Sequence, residues 1–257
     1  MIEQQGFPAR IEGADAPSRL VLVCEHASNA FPEPWGALGL DGAAQHAHIA
    51  WDPGALGLAR GLAARLGACL VHAPVSRLIH DLNRAPDSPG AMPARSETYE
   101  VPGNAAITPQ DRAARAAAVY SPFHNSLAAL IAQRIALGLR PVVVTVHSFT
   151  PVWHGKPRAV ELGVIHDDTR PGDDRLAREV LAAAWAMTGL QSELNAPYSA
   201  ADGVTHLLRC HAVPYGLPHA MLEIRNDLID TSEAEAAMAD QLAPVLTRAL
   251  AMFEGGS

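Results

Sequence analysis

An α/β domain built on a mixed, mostly parallel sheet is predicted by three features of the chain. Short uncharged runs rich in β-branched residues, such as Val142-Val143-Val144-Thr145-Val146, alternate with longer stretches whose leucines and alanines recur at helical spacing. Several of these runs end in ionisable residues, at the strand ends where such sheets place ligand sites. No linker, internal repeat or low-complexity segment divides the 257 residues, so 1–257 reads as one domain.

Taken in order, residues 1–18 carry Gly6, Pro8 and Pro17 among polar residues and read as an irregular lead-in. Arg19 to Cys24 is the first strand, and Pro32 and Pro34 force a loop beyond it. Leu56, Leu58, Leu62 and Leu66 mark a helix over Gly54 to Leu66, closed by Gly67. A second strand starts near Ala68 and breaks at Pro74, and Val75 to Ile79 shows a similar strand-like pattern around Arg77. Residues 84–104, rich in Pro, Gly, Ser and Asn, form a long loop of the kind that carries function. Thr108-Pro109-Gln110-Asp111 then starts a helix with a capping hydroxyl, an early proline and a first-turn acid. That helix extends towards Gly138 with a kink or restart at Pro122, leaving His124 just past the break. Pro141 to Thr150 is the central strand, which delivers His147 near its C-terminal end, and a polar loop with Trp153, His154 and Lys156 follows. Val160 to Ile165 is a strand and Asp173 to Met187 a helix, whereas His206 to His211 fits neither pattern. Met221 to Ile224 is the last strand, and Thr231-Ser232-Glu233 opens a closing helix that ends near Gly255.

Composition narrows the function classes. A formal charge of −8 with no basic stripe argues against a nucleic-acid partner, which requires a dense positive face. Cys24, Cys69 and Cys210 are odd in number and irregularly spaced, as expected of buried thiols in a reducing compartment. The start, Met1-Ile2-Glu3-Gln4-Gln5, lacks the basic and apolar regions of a secretory leader, and no apolar run approaches the roughly 20 residues that span a bilayer. A soluble, cytoplasmic protein without membrane partners is the expectation. GxGxxG, GxxxxGK[ST] and GxSxG are all absent, which disfavours the common dinucleotide, triphosphate and serine-hydrolase readings. Twelve histidines raise the prospect of metal or acid–base chemistry without locating it.

Location comes from the strand ends. His26 follows the first strand, His147 lies near the end of the central one, and Glu223 sits inside the apolar run of the last, where a carboxylate is costly unless paired or functional. Two imidazoles are one ligand short of a hydrolytic zinc centre, which uses about three protein ligands and leaves a position for water. Asp52, Asn29 and Glu25 compete for the third place; Asp52 is favoured because carboxylates bind zinc better than amides, and its bland alternative is a helix N-cap before Pro53. Glu223 would then serve as general base. Arg77, Arg84 and Arg225 are either ordinary salt-bridge partners or forks for a substrate carboxylate, with Asn83 orienting the same group. His48 and His124 have weaker claims, and the remaining histidines read as surface or structural. A Ser148–His147 nucleophile is disfavoured because adjacent strand residues face opposite ways.

Five blocks, in order, carry a family resemblance: Val23-Cys24-Glu25-His26-Ala27-Ser28-Asn29, His48-Ile49-Ala50-Trp51-Asp52-Pro53-Gly54-Ala55, Ser76 to Arg84, Val146-His147-Ser148-Phe149-Thr150-Pro151, and Leu222-Glu223-Ile224-Arg225-Asn226-Asp227. Over roughly residues 18 to 250 the chain resembles the N-formylglutamate amidohydrolases, a family similar in turn to the zinc carboxypeptidases. The resemblance implies a three-layer α/β/α sandwich and a divalent metal, Zn²⁺ by preference. It places metal ligands at His26 and His147, carboxylate binders at Asn83 and Arg84, and the base at Glu223. Where the carboxypeptidases have a glutamate ligand this chain has Asn29, so Asp52 stays beside it as the alternative. The implied reaction is hydrolysis of N-formyl-L-glutamate to formate and glutamate, and the implied partner is a small molecule bearing carboxylates. Other N-acyl amino acid deacylases, desuccinylases or carboxypeptidases share this pattern, and a non-catalytic site for a dicarboxylate or phosphate is the reading from a different class.

Overall fold

Seven strands form the main sheet of the computed structural model, which describes residues 6–255. Met1 to Gln5, on which the expectation of no leader rested, lie outside the described residues, as do Gly256 and Ser257. The strands are β1 (Arg10–Glu12), β2 (Leu20–Cys24), β3 (Cys69–His72), β4 (Val142–Phe149), β5 (Leu162–Ile165), β6 (Ser192–Leu194) and β7 (His219–Arg225). They lie side by side as β1-β3-β2-β4-β7-β5-β6. The pairs β2–β3, β2–β4, β4–β7 and β5–β6 are parallel, whereas β1–β3 and β5–β7 are antiparallel.

Strand alternation explains why helices cover both faces. Leu20, Leu22, Val144 and Leu222 point to one side and pack under α1 (Ala55–Leu66), α3 (Arg175–Met187) and α5 (Ser232–Gly255), helices that also pack on one another. Val21, Val23, Val143 and Met221 point to the other side, against Phe123, Leu127 and Ile131 of α2 (Ser121–Ala136) and Leu207 and Leu208 of α4 (His206–His211). The result is an α/β/α sandwich around a mixed, mostly parallel sheet. β4 lies in the middle and all eight of its residues are buried, so its uncharged, β-branched composition follows from having two dry faces. Among the described residues no helix is long and apolar enough to cross a membrane.

Several sequence expectations are corrected. The lead-in contains β1, a short edge strand whose alternation is too brief to detect. Val75 to Ile79 is a turn, because its residues are buried by the loops around it and no strand pairs with them. The 84–104 loop holds a small hairpin, Arg95–Ser96 with Tyr99–Glu100, and the loop around His154 holds another, Val152–Trp153 with Lys156–Pro157. Pro122 does not break the helical run, because a π-helical turn over Ala116–Tyr120 closes on Ser121 N donating to Ala116 O and absorbs the missing donor. His206–His211, of undecided type in the sequence, is helical.

Between α2, α4 and the 80–84 segment lies a dry cluster of histidines. His124 bonds through Nδ1 to His211 Nε2 at 2.7 Å and donates Nε2–H to Leu82 O at 3.0 Å, and His80 packs on Tyr120. Burial lowers their pKa values to about 4 for His80, about 3 for His124 and about 4 for His211. The unfolded chain therefore binds more protons than the folded one once the pH drops below the ordinary histidine value, so stability is full above that value and falls in acid. The urea midpoint should drop steeply between pH 7 and pH 5, with each of these histidines removing about 2 kcal/mol of unfolding free energy as its unfolded counterpart takes up a proton. A His124→Gln variant should show a shallower dependence over the same range.

Candidate active site

The register of two central strands sets the first pair of side chains. β4 and β7 run parallel with His147 beside Glu223, on the same sheet face as Val143 and Met221. His26 comes from the turn after β2, and the backbone ties the Asp52 segment to it through Asp52 N donating to His26 O at 2.9 Å. Asp52 Oδ2 then meets His147 Nδ1 at 2.8 Å, His26 Nδ1 at 3.2 Å and Ser148 N at 3.4 Å. Gly54 makes this placement possible: at φ 78° it turns the chain into α1, and a Cβ there would lie 2.1 Å from Ile229 O. Asp52 is not the cap of α1, whose N-cap is Gly54 and has no side-chain cap bond.

Each imidazole also carries a carboxylate on its far nitrogen. His26 Nε2 donates to Asp81 Oδ1 at 2.8 Å, and His147 Nε2 faces Glu25 Oε2 at 3.2 Å, off the line of a good hydrogen bond. Arg77 closes the network, with Nε and Nη2 on Asp81 Oδ2 at 3.1 and 2.6 Å and Nη1 on Asp52 Oδ1 at 3.2 Å. One donor atom from each of His26, Asp52 and His147 lies within 4.8 Å of the others, and all three residues are buried. Two imidazole nitrogens and a carboxylate oxygen, with outer carboxylates orienting the rings, match the donor chemistry of a divalent zinc-type ion. The orphaned state of Glu223 Oε2 beside them is the second mark of an incomplete polar centre.

Electrostatics follow from this crowding in a dry place. Burial favours neutral carboxyls, yet His26, His147 and Arg77 outweigh it at Asp52, and Arg77 and His26 outweigh it at Asp81, so both stay far below the usual carboxylate range. Burial also opposes charge on the two imidazoles. At His26 the pull of Asp81 and Asp52 prevails, and at His147 that of Glu25 and Asp52, so both pKa values are raised. Glu223 is different: burial dominates and pushes its carboxyl up to about 7, within the range where one group can take a proton and give it back.

A cavity of about 490 Å³ opens onto these groups and is lined by Asp52, Arg77, Arg84, Trp153, Tyr198 and Glu223 among others. Of the ten residues weighed in the sequence as ligands, base or carboxylate binders, His26, Asp52, Arg77, Asn83, Arg84, His147 and Glu223 all line it; Asn29, Glu25 and Arg225 do not. Asn29 is a correction: its Nδ2 donates to Gln45 O at 3.1 Å, fastening a loop, and Asp52 takes the place beside the histidines. Arg225 is another, engaged with Asp227 at 2.8 Å and Glu161 at 3.3 Å beyond the end of β7. Asn83 is present but occupied, with Nδ2 donating to Val204 O and Oδ1 accepting from Leu207 N at 2.9 Å. Arg84 donates from Nη1 to Asp202 O and has no carboxylate partner among the described residues.

Sequence reasoning missed the parts that loops supply. Asp81 lies inside the Ser76 to Arg84 block with no role assigned to it, although a carboxylate between Ile79 and Leu82 needs a partner as much as Glu223 does. Tyr198 had no signal at all; it arrives because Gly163, paired with Glu223 across β5, lets the following loop pass close over the strand. A Cβ at Gly163 would lie 1.8 Å from Ala196 O. Gly163→Ala should therefore displace the 194–198 segment and its tyrosine while the sheet persists, read as a changed Tyr198 position in a crystal structure with an unfolding free energy, from urea titration, lowered by about 1–3 kcal/mol.

Residues 18–230 match the family described as N-formylglutamate amidohydrolase. The crystal structure of a gene product of Agrobacterium tumefaciens is similar at 46% identity and a TM-score of 0.93, with 99% of each chain covered. An N-formylglutamate amidohydrolase from Ralstonia eutropha shares the fold at 16% identity and a TM-score of 0.63, covering 99% of this chain and 97% of its own. No curated protein matches the chain.

Proposed function

The chain belongs to the N-formylglutamate amidohydrolase family, and from that membership we propose that it hydrolyses the amide of a small N-acyl amino acid with a divalent ion, Zn²⁺ by preference, at His26, Asp52 and His147. The observation that carries the reading is the convergence of those three donors beside a buried Glu223 at the floor of an open cavity. N-formyl-L-glutamate, whose products would be formate and glutamate, is the substrate the family places first. A cytoplasmic setting is supported by the three unpaired cysteines.

When bound, the ion would supply Lewis acidity, lowering the pKa of water and polarising the acyl carbonyl. Everything else is work for the chain. Glu223 takes a proton from water as its oxygen adds to the acyl carbon, and returns that proton to the amine nitrogen as the C–N bond breaks. A carboxyl balanced near neutrality by burial suits both directions of transfer. Arg84 holds the substrate carboxylate, which fixes the amide over Glu223. Arg77 restrains Asp52 and Asp81, and through them the two imidazoles, which makes it a positioning residue. Glu25 does the same for His147 from the far side of the ring.

Removal of metal with a chelator should abolish hydrolysis of N-acyl amino acids, and Zn²⁺ should restore it. Glu223→Gln should lower kcat by at least 100-fold with substrate affinity largely kept; retention of full turnover would show that another group is the base. Glu25→Gln should weaken zinc binding by about 10- to 100-fold, measured by competition with a chromophoric chelator.

A further inference from the structure

The sequence offers several groups for substrate carboxylates, and tertiary contacts remove nearly all of them. Three guanidinium groups line the cavity, those of Arg77, Arg84 and Arg95. Arg77 has all three nitrogens committed to Asp81 and Asp52. Arg95 lies at the rim with a side chain 62% exposed, 3.6 Å from Glu100, and its Nε donates to Glu97 O at 3.1 Å. Asn83 is engaged at both ends of its amide. Arg84 alone of these cavity cations lacks a carboxylate partner among the described residues.

The rest of the wall is hostile to a second negative charge. Glu97, at the tip of the Arg95–Glu100 hairpin, turns its carboxylate into the lining, where His48 Nε2 lies at 2.8 Å and His154 N donates at 3.0 Å. It thereby joins this hairpin to the Val152–Pro157 hairpin over the cavity. The apolar part of the lining is formed chiefly by Ile49, Leu78, Phe149, Trp153 and Tyr198. Behind three of these rings stands Arg158, 5.5 Å from the Phe149 centroid and 5.0 Å from those of Trp153 and Tyr198, donating to the Tyr198 hydroxyl at 3.0 Å. Arg158 is not among the lining residues, and its contacts to these rings fix an aromatic surface in advance of any ligand.

From this arrangement we infer that the cavity selects N-acyl amino acids with a single carboxylate and an aromatic or aliphatic side chain over dicarboxylates. The inference rests on the hydrolase reading for the orientation of the ligand, acyl group over Glu223 and carboxylate on Arg84. A side-chain carboxylate in that pose would lose its water beside Glu97 without gaining a desolvated cation, whereas a phenyl or branched aliphatic group would bury against the rings.

The test separates binding from turnover. Zinc-loaded full-length Glu223→Gln is titrated calorimetrically with N-formyl-L-phenylalanine and N-formyl-L-glutamate, and kcat/KM is measured for both on the zinc-loaded wild type. The expected result is at least a tenfold lower Kd for N-formyl-L-phenylalanine, with both ligands weakened at least tenfold by Arg84→Ala and the preference narrowed by Glu97→Gln through tighter N-formyl-L-glutamate binding. Equal or tighter binding of N-formyl-L-glutamate overturns the inference while turnover of it leaves the hydrolase reading intact. The expected binding preference with no turnover of either compound overturns the hydrolase reading and leaves the selectivity in place. Failure of both ligands to bind overturns both.

Discussion

One carboxylate oxygen holds the centre together. Asp52 Oδ2 is the point at which the imidazole of His26, from the turn after β2, meets the imidazole of His147 and the backbone amide of Ser148, both from β4, and its partner oxygen receives Arg77. Withdrawing a charge from water costs several kcal/mol, so a buried carboxylate survives only among groups that compensate it from every side. Asp52 is compensated by His26, His147 and Arg77, and those groups in turn need Asp81 and Glu25. The network is thus a closed set in which no member is tolerable without the others. That mutual dependence fixes the rings in one orientation, with their Nδ1 atoms turned to a shared point.

The sheet supplies the rigidity this set requires. β4 is buried along its whole length and β7 along all but its last residue, so the adjacency of His147 and Glu223 depends on main-chain ladders and not on flexible side chains. Of the inner groups His147 and Glu223 stand on strands, while His26, Asp52, Arg77 and Asp81 come from turns and loops that their mutual ion pairs hold in place. The outer parts come from further loops: Arg84 from the turn after the 75–79 segment, Trp153 and Glu97 from two hairpins, and Tyr198 from the segment that Gly163 admits.

Glu223 shows how environment assigns roles to residues of the same chemistry. Asp52, Asp81 and Glu223 are all buried carboxylates within one centre, and burial pushes each of them up, yet only Glu223 ends above the carboxylate range. His147, His26 and Arg77 reach it through space without the hydrogen bonds they give the other two, and the charge of Asp52 opposes them. The carboxylates that are locked as anions organise; the one left near neutrality can exchange protons. Arg77 and Arg84 divide in the same way, since Arg77 is engaged by two acids and Arg84 by a carbonyl alone.

What the sequence alone determined is the set of strand-borne groups. The valines of 142–146 and the apolar run around Glu223 announce buried strands, period-two alternation fixes which side chains share a face, and the blocks around His26, Asp52, His147 and Glu223 carry the family likeness. Those signals are local, and local patterns survive in one dimension. Only the tertiary structure decided which of the remaining polar residues were available. Arg225, Asn83 and Arg77 look equivalent to Arg84 in the sequence as carboxylate binders, but Arg225 and Arg77 are taken by acids 2 to 64 residues away and Asn83 by the backbone of Val204 and Leu207, whereas Arg84 meets a carbonyl alone; Asn29, a candidate ligand, is held by Gln45 O. Hydrogen bonds and ion pairs of that kind depend on distance in space, which the order of residues along a chain does not encode for any single position.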